Sequence, residues 1–386
     1  MKTCALLVLD SVGIGQLPDA DDYGDGGADT LGHLCELVKP RLPNLASLGL
    51  GWIRPLHCIE APDALEGSYG KMAEVSPGKD STTGHWELAG LQITEAFQTF
   101  PFGFPPDLIR ELEQRTGCAI IGNKAASGTS IIKELGREHE QTGSLIVYTS
   151  ADPVLQIAAH EEVIPLAHLY EICNIAFDLA APLGISRVIA RPFIGRYPDY
   201  VRTANRRDFT VLPPDLTVLD ALAEARVPVT GIGKVGQMFS NRGISQSFST
   251  HDNDEGLDIL VRTLESRAGG LIFANLLDFD THFGHRRDPQ GYAKALSGLD
   301  SRLPSVLQLL GSEDLLIITA DHGNDPTFKG SDHTREFVPL LVSGPSFAKG
   351  CNLGTRESFA DVAASVAEFF EVAWTGAGTS FLDLLR

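Results

Sequence analysis

No stretch of this 386-residue chain approaches the ~20 consecutive apolar residues of a membrane span. Its N-terminal apolar run, MKTCALLVLDSVG, is too short for a secretory leader and closes on Asp10. Cysteine is sparse, and the C-x-x-C pair of a redox or zinc motif is missing. Cys4, Cys35, Cys58, Cys118, Cys173 and Cys351 lie far apart, several in apolar runs. That spacing predicts thiols in a reducing compartment, and the expected location is cytoplasmic. Basic residues are also short: 31 against 50 acidic, a formal charge of −19. Such a balance argues against nucleic acid or an anionic membrane as partner. A small anionic substrate stays admissible, because a bound cation inverts the local field. Internal repeats and low-complexity tracts are absent.

What is present is an alternation of short apolar runs with amphipathic segments. Strands are predicted at Cys4–Leu9, Leu145–Thr149, Arg187–Ala190, Pro228–Ile232, Leu271–Leu277, Leu315–Ala320 and Val338–Val342. Helical spacing runs through Leu257, Leu260, Val261 and Leu264, with Asp254 as cap, and through Phe359, Val362, Val366 and Phe369. Gly291–Leu310 reads as a helix that Pro304 should kink or split. Strands alternating with helices predict an α/β fold with a largely parallel central sheet flanked by helices. Two proline-rich stretches, TFPFGFPPD and DFTVLPPDLT, read as linkers around an inserted smaller domain. The expected division is a discontinuous core, residues 1–95 and 216–386, with an insert at 96–215.

Acids cluster where the strands end. Asp10 closes the first run, Asp278 and Asp280 follow LIFANLL, and Asp321 follows LLIITA. Open α/β sheets place their sites at such carboxyl ends. Several carboxylates on one sheet edge repel strongly unless cations neutralise them. Histidines stand beside these acids: His282 and His285 in LLDFDTHFGHRRDP, His322 and His333 in TADHGNDPTFKGSDHTRE. Oxygen with imidazole nitrogen suits Mn²⁺ or Zn²⁺, and two such clusters point to two-metal phosphoryl chemistry. Asp321 and His322 are neighbours, so they share one ion only if the backbone turns; otherwise they serve two. His282 is read as a surface residue, and Arg286 and Arg287 are read as salt-bridge partners of Asp288 or another acid. In GKDSTTGHWELAG, the hydroxyls of Ser81, Thr82 and Thr83 are candidate helix caps or, beside a metal, candidate nucleophiles. Spacing does not choose among the three.

The strings DSVGIGQLPDADDYGDGGADTLGHL, GKDSTTGHWELAG, YTSADPVLQIAAHEE, RVIARPFIG, FDTHFGHRRDPQGY, ITADHGNDP with SDHTRE, and GTSFLDLL resemble the phosphopentomutase family of the alkaline phosphatase superfamily. The resemblance implies an alkaline-phosphatase-like α/β core with an inserted α/β cap domain. It implies interconversion of ribose 1-phosphate and ribose 5-phosphate, and the deoxyribose equivalents, with two Mn²⁺ ions. Asp10, Asp321, His322 and the nucleophile would hold one ion; Asp280, His285 and His333 would hold the other. The nucleophile position falls on Ser81, where the family normally carries threonine. Ser150 and Asp152 would meet the ribose, and Arg187, Arg191, Arg206 and Lys234 the distal phosphate. A sugar bisphosphate such as glucose 1,6-bisphosphate would supply the activating phosphoryl group, and the cap would exclude water. The competing readings are a two-metal phosphatase or phosphoglycerate mutase of the same superfamily, and a non-catalytic, metal-bound sugar-phosphate sensor.

Overall fold

The computed structural model describes residues 2–150 and 153–386. They fall into two compact units, residues up to Glu95 together with Leu212–Arg386, and Ala96–Val211. Every strand predicted from the sequence is found, with ends shifted by a residue or so except at Arg187, whose strand runs on to Arg196.

The first unit is built on an eight-stranded sheet in the order Gln246–Phe248, Val229–Ile232, Gly270–Leu276, Thr3–Leu9, Leu315–Thr319, Val338–Ser343, Ser68–Met72, Asn352–Arg356. The first five of these run parallel, and Val338–Ser343 is antiparallel to both neighbours. Thr3–Leu9 (TCALLVL) is buried along its whole length, as expected for a central parallel strand covered on both faces. The helix Asn253–Ser266 is capped by Asp252, whose side chain accepts from the Glu255 amide. The cap therefore stands two residues before the Asp254 expected from the sequence.

Pro304 does not split its helix, which runs unbroken over Pro289–Leu309. A proline leaves the carbonyl four residues back without its helical donor, here that of Asp300. Asn44 supplies the substitute: its Nδ2 donates to the Asp300 carbonyl at 2.9 Å and to Asp300 Oδ2 at 2.9 Å. Asn44→Ala is expected to lower stability by about 1–2 kcal/mol in urea unfolding at unchanged m-value. Adding Pro304→Ala, which returns an N–H, should recover part of the loss.

Cys35 and Cys58 form a disulfide, their Cα atoms 5.1 Å apart. This corrects the expectation of six thiols. A separation of 23 residues carries no motif, and only the packing of the Thr30–Leu37 helix beside the Cys58 loop brings the sulfurs together. Among the described residues, no helix is long and apolar enough to cross a membrane.

The second unit has a mixed sheet in the order Ile120–Ala125, Leu145–Thr149, Val154–His160, Arg187–Arg196, Asp199–Arg202, with Arg207–Thr210 paired on Arg187–Arg196. Part of the stretch read as a linker, DFTVLPPDLT, is thus a strand. Alternation along Leu145–Thr149 serves two cores. Leu145 and Val147 join Leu169, Ile172 and Ala176, whereas Ile146 and Tyr148 join Ile131, Ile132 and Phe193.

Candidate active site

Sheet order decides which acids meet. Thr3–Leu9 lies between Gly270–Leu276 and Leu315–Thr319, parallel to both. Their carboxyl ends therefore deliver Asp10, Asp280 and Asp321 to one place. After Leu276 the chain makes a π-helical turn over Phe279–Gly284, which folds His285 back so that its amide donates to the Asp280 carbonyl at 3.1 Å. Past Thr319 the backbone leaves the strand and turns, which lets Asp321 and His322 share a site.

Asp10, Asp321 and His322 each offer a ligand atom within 4.8 Å of the others, and Asp280, His322 and His333 do the same. His322 therefore stands in both groups, its ring centroid 4.2 Å from that of His333. His285 Nε2 and His333 Nε2 each lie 3.3 Å from an Asp280 carboxylate oxygen. His285 Nδ1 donates to the Ser331 carbonyl at 2.7 Å, and His322 Nδ1 to the Gly323 carbonyl at 3.0 Å. Each bond commits Nδ1 and leaves Nε2 as the atom facing the carboxylates.

The donor set fits divalent cations. Asp10, Asp280 and Asp321 are all buried, and three clustered carboxylates require a compensating charge. Asp321 Oδ2 and His333 Nε2 are buried and have no hydrogen-bond partner among the described residues. His85 Nδ1 is 3.1 Å from that Asp321 oxygen, but its N–H is directed at the Ser81 carbonyl, 2.8 Å away. Burial alone would raise the Asp280 carboxyl; His285 and His333 outweigh it and hold Asp280 well below the ordinary value. Burial likewise opposes ionisation of Asp321, yet the charge of the neighbouring His322, with the Ser11 amide, brings it down to about 2. Burial works against the His322 cation, but Asp321 and Asp10 raise it well above the usual histidine range. The raised His322 and the depressed carboxyls both favour an imidazolium–carboxylate pairing when no metal is bound.

Ser81 opens the helix Ser81–Leu88, capped by Asp80, which accepts from the Thr82 and Thr83 amides. Ser81 Oγ lies 3.2 Å from His322 Nε2 and 3.4 Å from Asp10 Oδ1. The Thr83 hydroxyl donates to Asp80 at 2.7 Å, so of these two hydroxyls it is that of Ser81 that faces the acids. The rest of GHWE fixes this helix. His85 stacks on Phe273, Trp86 Nε1 donates to the Met238 carbonyl at 3.0 Å, and buried Glu87 accepts from the Val75, Ser76 and Phe359 amides. Arg335 donates to the Ser76 and Gly78 carbonyls and so holds the segment leading into Ser81.

Other candidates lie elsewhere. Asp278 accepts from the Asn253 amide at 3.0 Å and stays outside both groups. His282 is exposed, as read from the sequence. Lys234 Nζ lies 3.7 Å from Asp10 Oδ2 and 3.3 Å from the Thr281 hydroxyl, so its charge faces the acid cluster. Ser150, Arg187, Arg191 and Arg206 all belong to the second unit. There Arg206 grips Asp208 through two 2.7 Å bonds, Arg187 reaches the same carboxylate at 3.4 Å, and Arg191 donates to Gln156 at 3.0 Å. Burial and the nearby Arg206 charge push Arg191 down to about 10. Asp152 lies outside the described residues.

Sequence reasoning passed over Asn275 and Asn324. The first donates to Asp10 at 3.2 Å, the second to Asp280 at 2.7 Å. It also misread Arg287, which donates to three backbone carbonyls and to the Asn324 amide oxygen. Neutral amides carry no charge pattern to betray them; only the position of Asn324 within DHGND marked it.

A family model described as the Metalloenzyme superfamily matches residues 2–373. A phosphopentomutase of Caldanaerobacter subterraneus subsp. tengcongensis is 55% identical over 383 residues, covering 99% of this chain and 98% of its own. One of Thermotoga maritima is 51% identical over 384 residues, 98% of each chain. Among solved structures, the PH0037 protein of Pyrococcus horikoshii is alike in fold, with a TM-score of 0.51 at 15% identity over 97% of this chain and 99% of that one.

Proposed function

Because the chain belongs to the phosphopentomutase family of the metalloenzyme superfamily, an intramolecular phosphotransferase activity is its premise, and we propose that it interconverts ribose 1-phosphate and ribose 5-phosphate, with their deoxyribose equivalents, through a phosphorylated Ser81 and two Mn²⁺ ions. The observation that carries this reading is the Ser81 hydroxyl between Asp10 and His322, at the mouth of three converging parallel strands. Asp10, Asp321, His322 and Ser81 would hold one ion, and Asp280, His285 and His333 the other. When bound, Mn²⁺ supplies charge stabilisation for the transferring oxygens and lowers the alcohol pKa.

In this reading a sugar bisphosphate such as glucose 1,6-bisphosphate first phosphorylates Ser81. Phosphoseryl 81 gives its group to the free hydroxyl of a bound pentose phosphate, and the phosphoryl group at the other end of the resulting bisphosphate returns to Ser81. Asp80 already occupies the Thr82 and Thr83 amides, so the helix start offers few N–H groups to the phosphoryl oxygens. Lys234, expected from the resemblance at the distal phosphate, has its ammonium 3.7 Å from Asp10 Oδ2 instead, and there it would meet the transferring phosphoryl group. The insert, expected at 96–215, would serve as a cap, with Ser150 and Asp152 meeting the ribose and its arginines the distal phosphate, where a guanidinium fork suits the group. The partners would be small pentose phosphates.

A coupled assay with ribose 1-phosphate, Mn²⁺ and a catalytic amount of sugar bisphosphate tests the proposal. Ribose 5-phosphate is the expected product. Release of inorganic phosphate without ribose 5-phosphate would instead make the protein a phosphatase.

A further inference from the structure

The three ligands assigned to the second ion come from two segments far apart in the sequence. Asp280 lies within the π-helical turn and His285 directly after it, and His333 follows a 327–331 loop that is largely exposed. One side chain bonds to both segments and to Asn324. Arg287 Nη1 donates to the Gly284 carbonyl at 2.9 Å, beside His285; Nη2 donates to the Asp332 carbonyl at 2.8 Å, beside His333; Nε donates to the Gly330 carbonyl at 2.7 Å. Nη1 also donates to Asn324 Oδ1 at 2.5 Å, and Asn324 Nδ2 donates in turn to Asp280 Oδ1 at 2.7 Å. The guanidinium thus orients the buried Asn324 amide so that its NH₂ faces the carboxylate.

The local backbone is shaped around this hub. Arg287 itself takes a left-handed conformation, φ 53°, which disfavours a side-chain-bearing residue and persists where surrounding contacts impose it. Gly284 lets the turn close on Asn324, since a Cβ there would stand 2.7 Å from the amide carbon. Only a planar fork sends N–H groups to carbonyls on several sides at once; a lysine ammonium has a single nitrogen to place.

We propose that Arg287 is the positioning residue that assembles the Asp280–His285–His333 half of the metal centre, working through Asn324 and the carbonyls flanking both histidines. The inference rests on the two-ion reading above. Residues that hold metal ligands in place typically govern affinity by about 10–100-fold; Asn324 bonds the Asp280 carboxylate directly, and Arg287 acts one bond further out.

The test is a Mn²⁺ titration of metal-free wild type, Arg287→Lys and Asn324→Ala, followed by electron paramagnetic resonance, which counts bound ions and shows the spin coupling of a close pair. Wild type should bind two ions with a coupled spectrum. Arg287→Lys should keep one ion at wild-type affinity and bind the other about 10–100-fold more weakly, so that the coupled spectrum vanishes at low Mn²⁺. Asn324→Ala, which leaves the guanidinium and its three carbonyls in place, should weaken the same ion by a smaller factor. Two ions bound to Arg287→Lys as in wild type, or both weakened alike, would overturn the proposal. If Arg287→Lys does not fold, an unchanged second ion in Asn324→Ala overturns it and a selectively weakened one upholds it. A wild type that binds no coupled pair would instead defeat the two-ion reading itself.

Discussion

Ser81→Ala is expected to reduce mutase turnover by at least about a thousandfold, with folding and metal binding largely kept. The Ser81 hydroxyl lies within 3.2 Å of His322 and 3.4 Å of Asp10, and its removal leaves no oxygen at that point. Thr83 cannot replace it, because its hydroxyl is bound to Asp80 on the cap side of the helix. Ser81→Thr keeps an alcohol on the same carbon and should retain turnover to within about tenfold. The chemical signature is independent of the assay. Incubation with a sugar bisphosphate should add one phosphoryl mass to the wild type, mapping to the peptide that holds Ser81, and none to Ser81→Ala. A phosphate mapped to Thr83 would move the nucleophile and undo the assignment.

Chelation should abolish turnover and lower thermal stability, and Mn²⁺ should restore both. Each ion present at a hundred times its Kd contributes about 2.7 kcal/mol, so two contribute about 5 kcal/mol. The pH dependence follows from the groups left behind. With its folded pKa raised, His322 stabilises the metal-free fold below its unfolded value of about 6.5, and that contribution is lost as pH rises through the raised value. Asp280 and Asp321, whose folded values are depressed, act in the opposite sense. Their contribution is present above about 3.9 and is lost as pH falls through the folded values. Calorimetry of the chelated protein should therefore show Tm falling at alkaline pH, while the Mn²⁺-loaded protein holds. Mn²⁺ affinity should weaken as pH falls, since an ion must displace the His322 proton. A melting curve indifferent to both chelator and pH would mean that these carboxylates hold no cation.

The acids and histidines that converge were legible because their chemistry is written at strand ends. An apolar run followed at once by an acid, as at Leu9–Asp10 and Ala320–Asp321, reads the same in sequence and in structure. The partition of histidines was less so. His322 stands with Asp10 and Asp321 as expected, yet it is also within reach of Asp280 and His333, because two loops from different strands fold over one another. Short edge strands such as Gln246–Phe248 and Asn352–Arg356 escaped notice, since half-exposed sequences of mixed polarity show no period. Pro304 was read by its local cost, which Asn44 offsets from another helix.

The order of residues along the chain was enough to settle the α/β class, the acids and histidines that converge, and the absence of a membrane-length apolar run. These are local properties, carried by runs of side chains and their period. That the Ser81 hydroxyl and not that of Thr83 faces Asp10, that Cys35 meets Cys58, and that Arg287 bonds both the Gly284 turn and the 330–332 loop were decided only by the tertiary structure. Each depends on the direction of a side chain relative to a segment far away in sequence, and no local pattern encodes that direction.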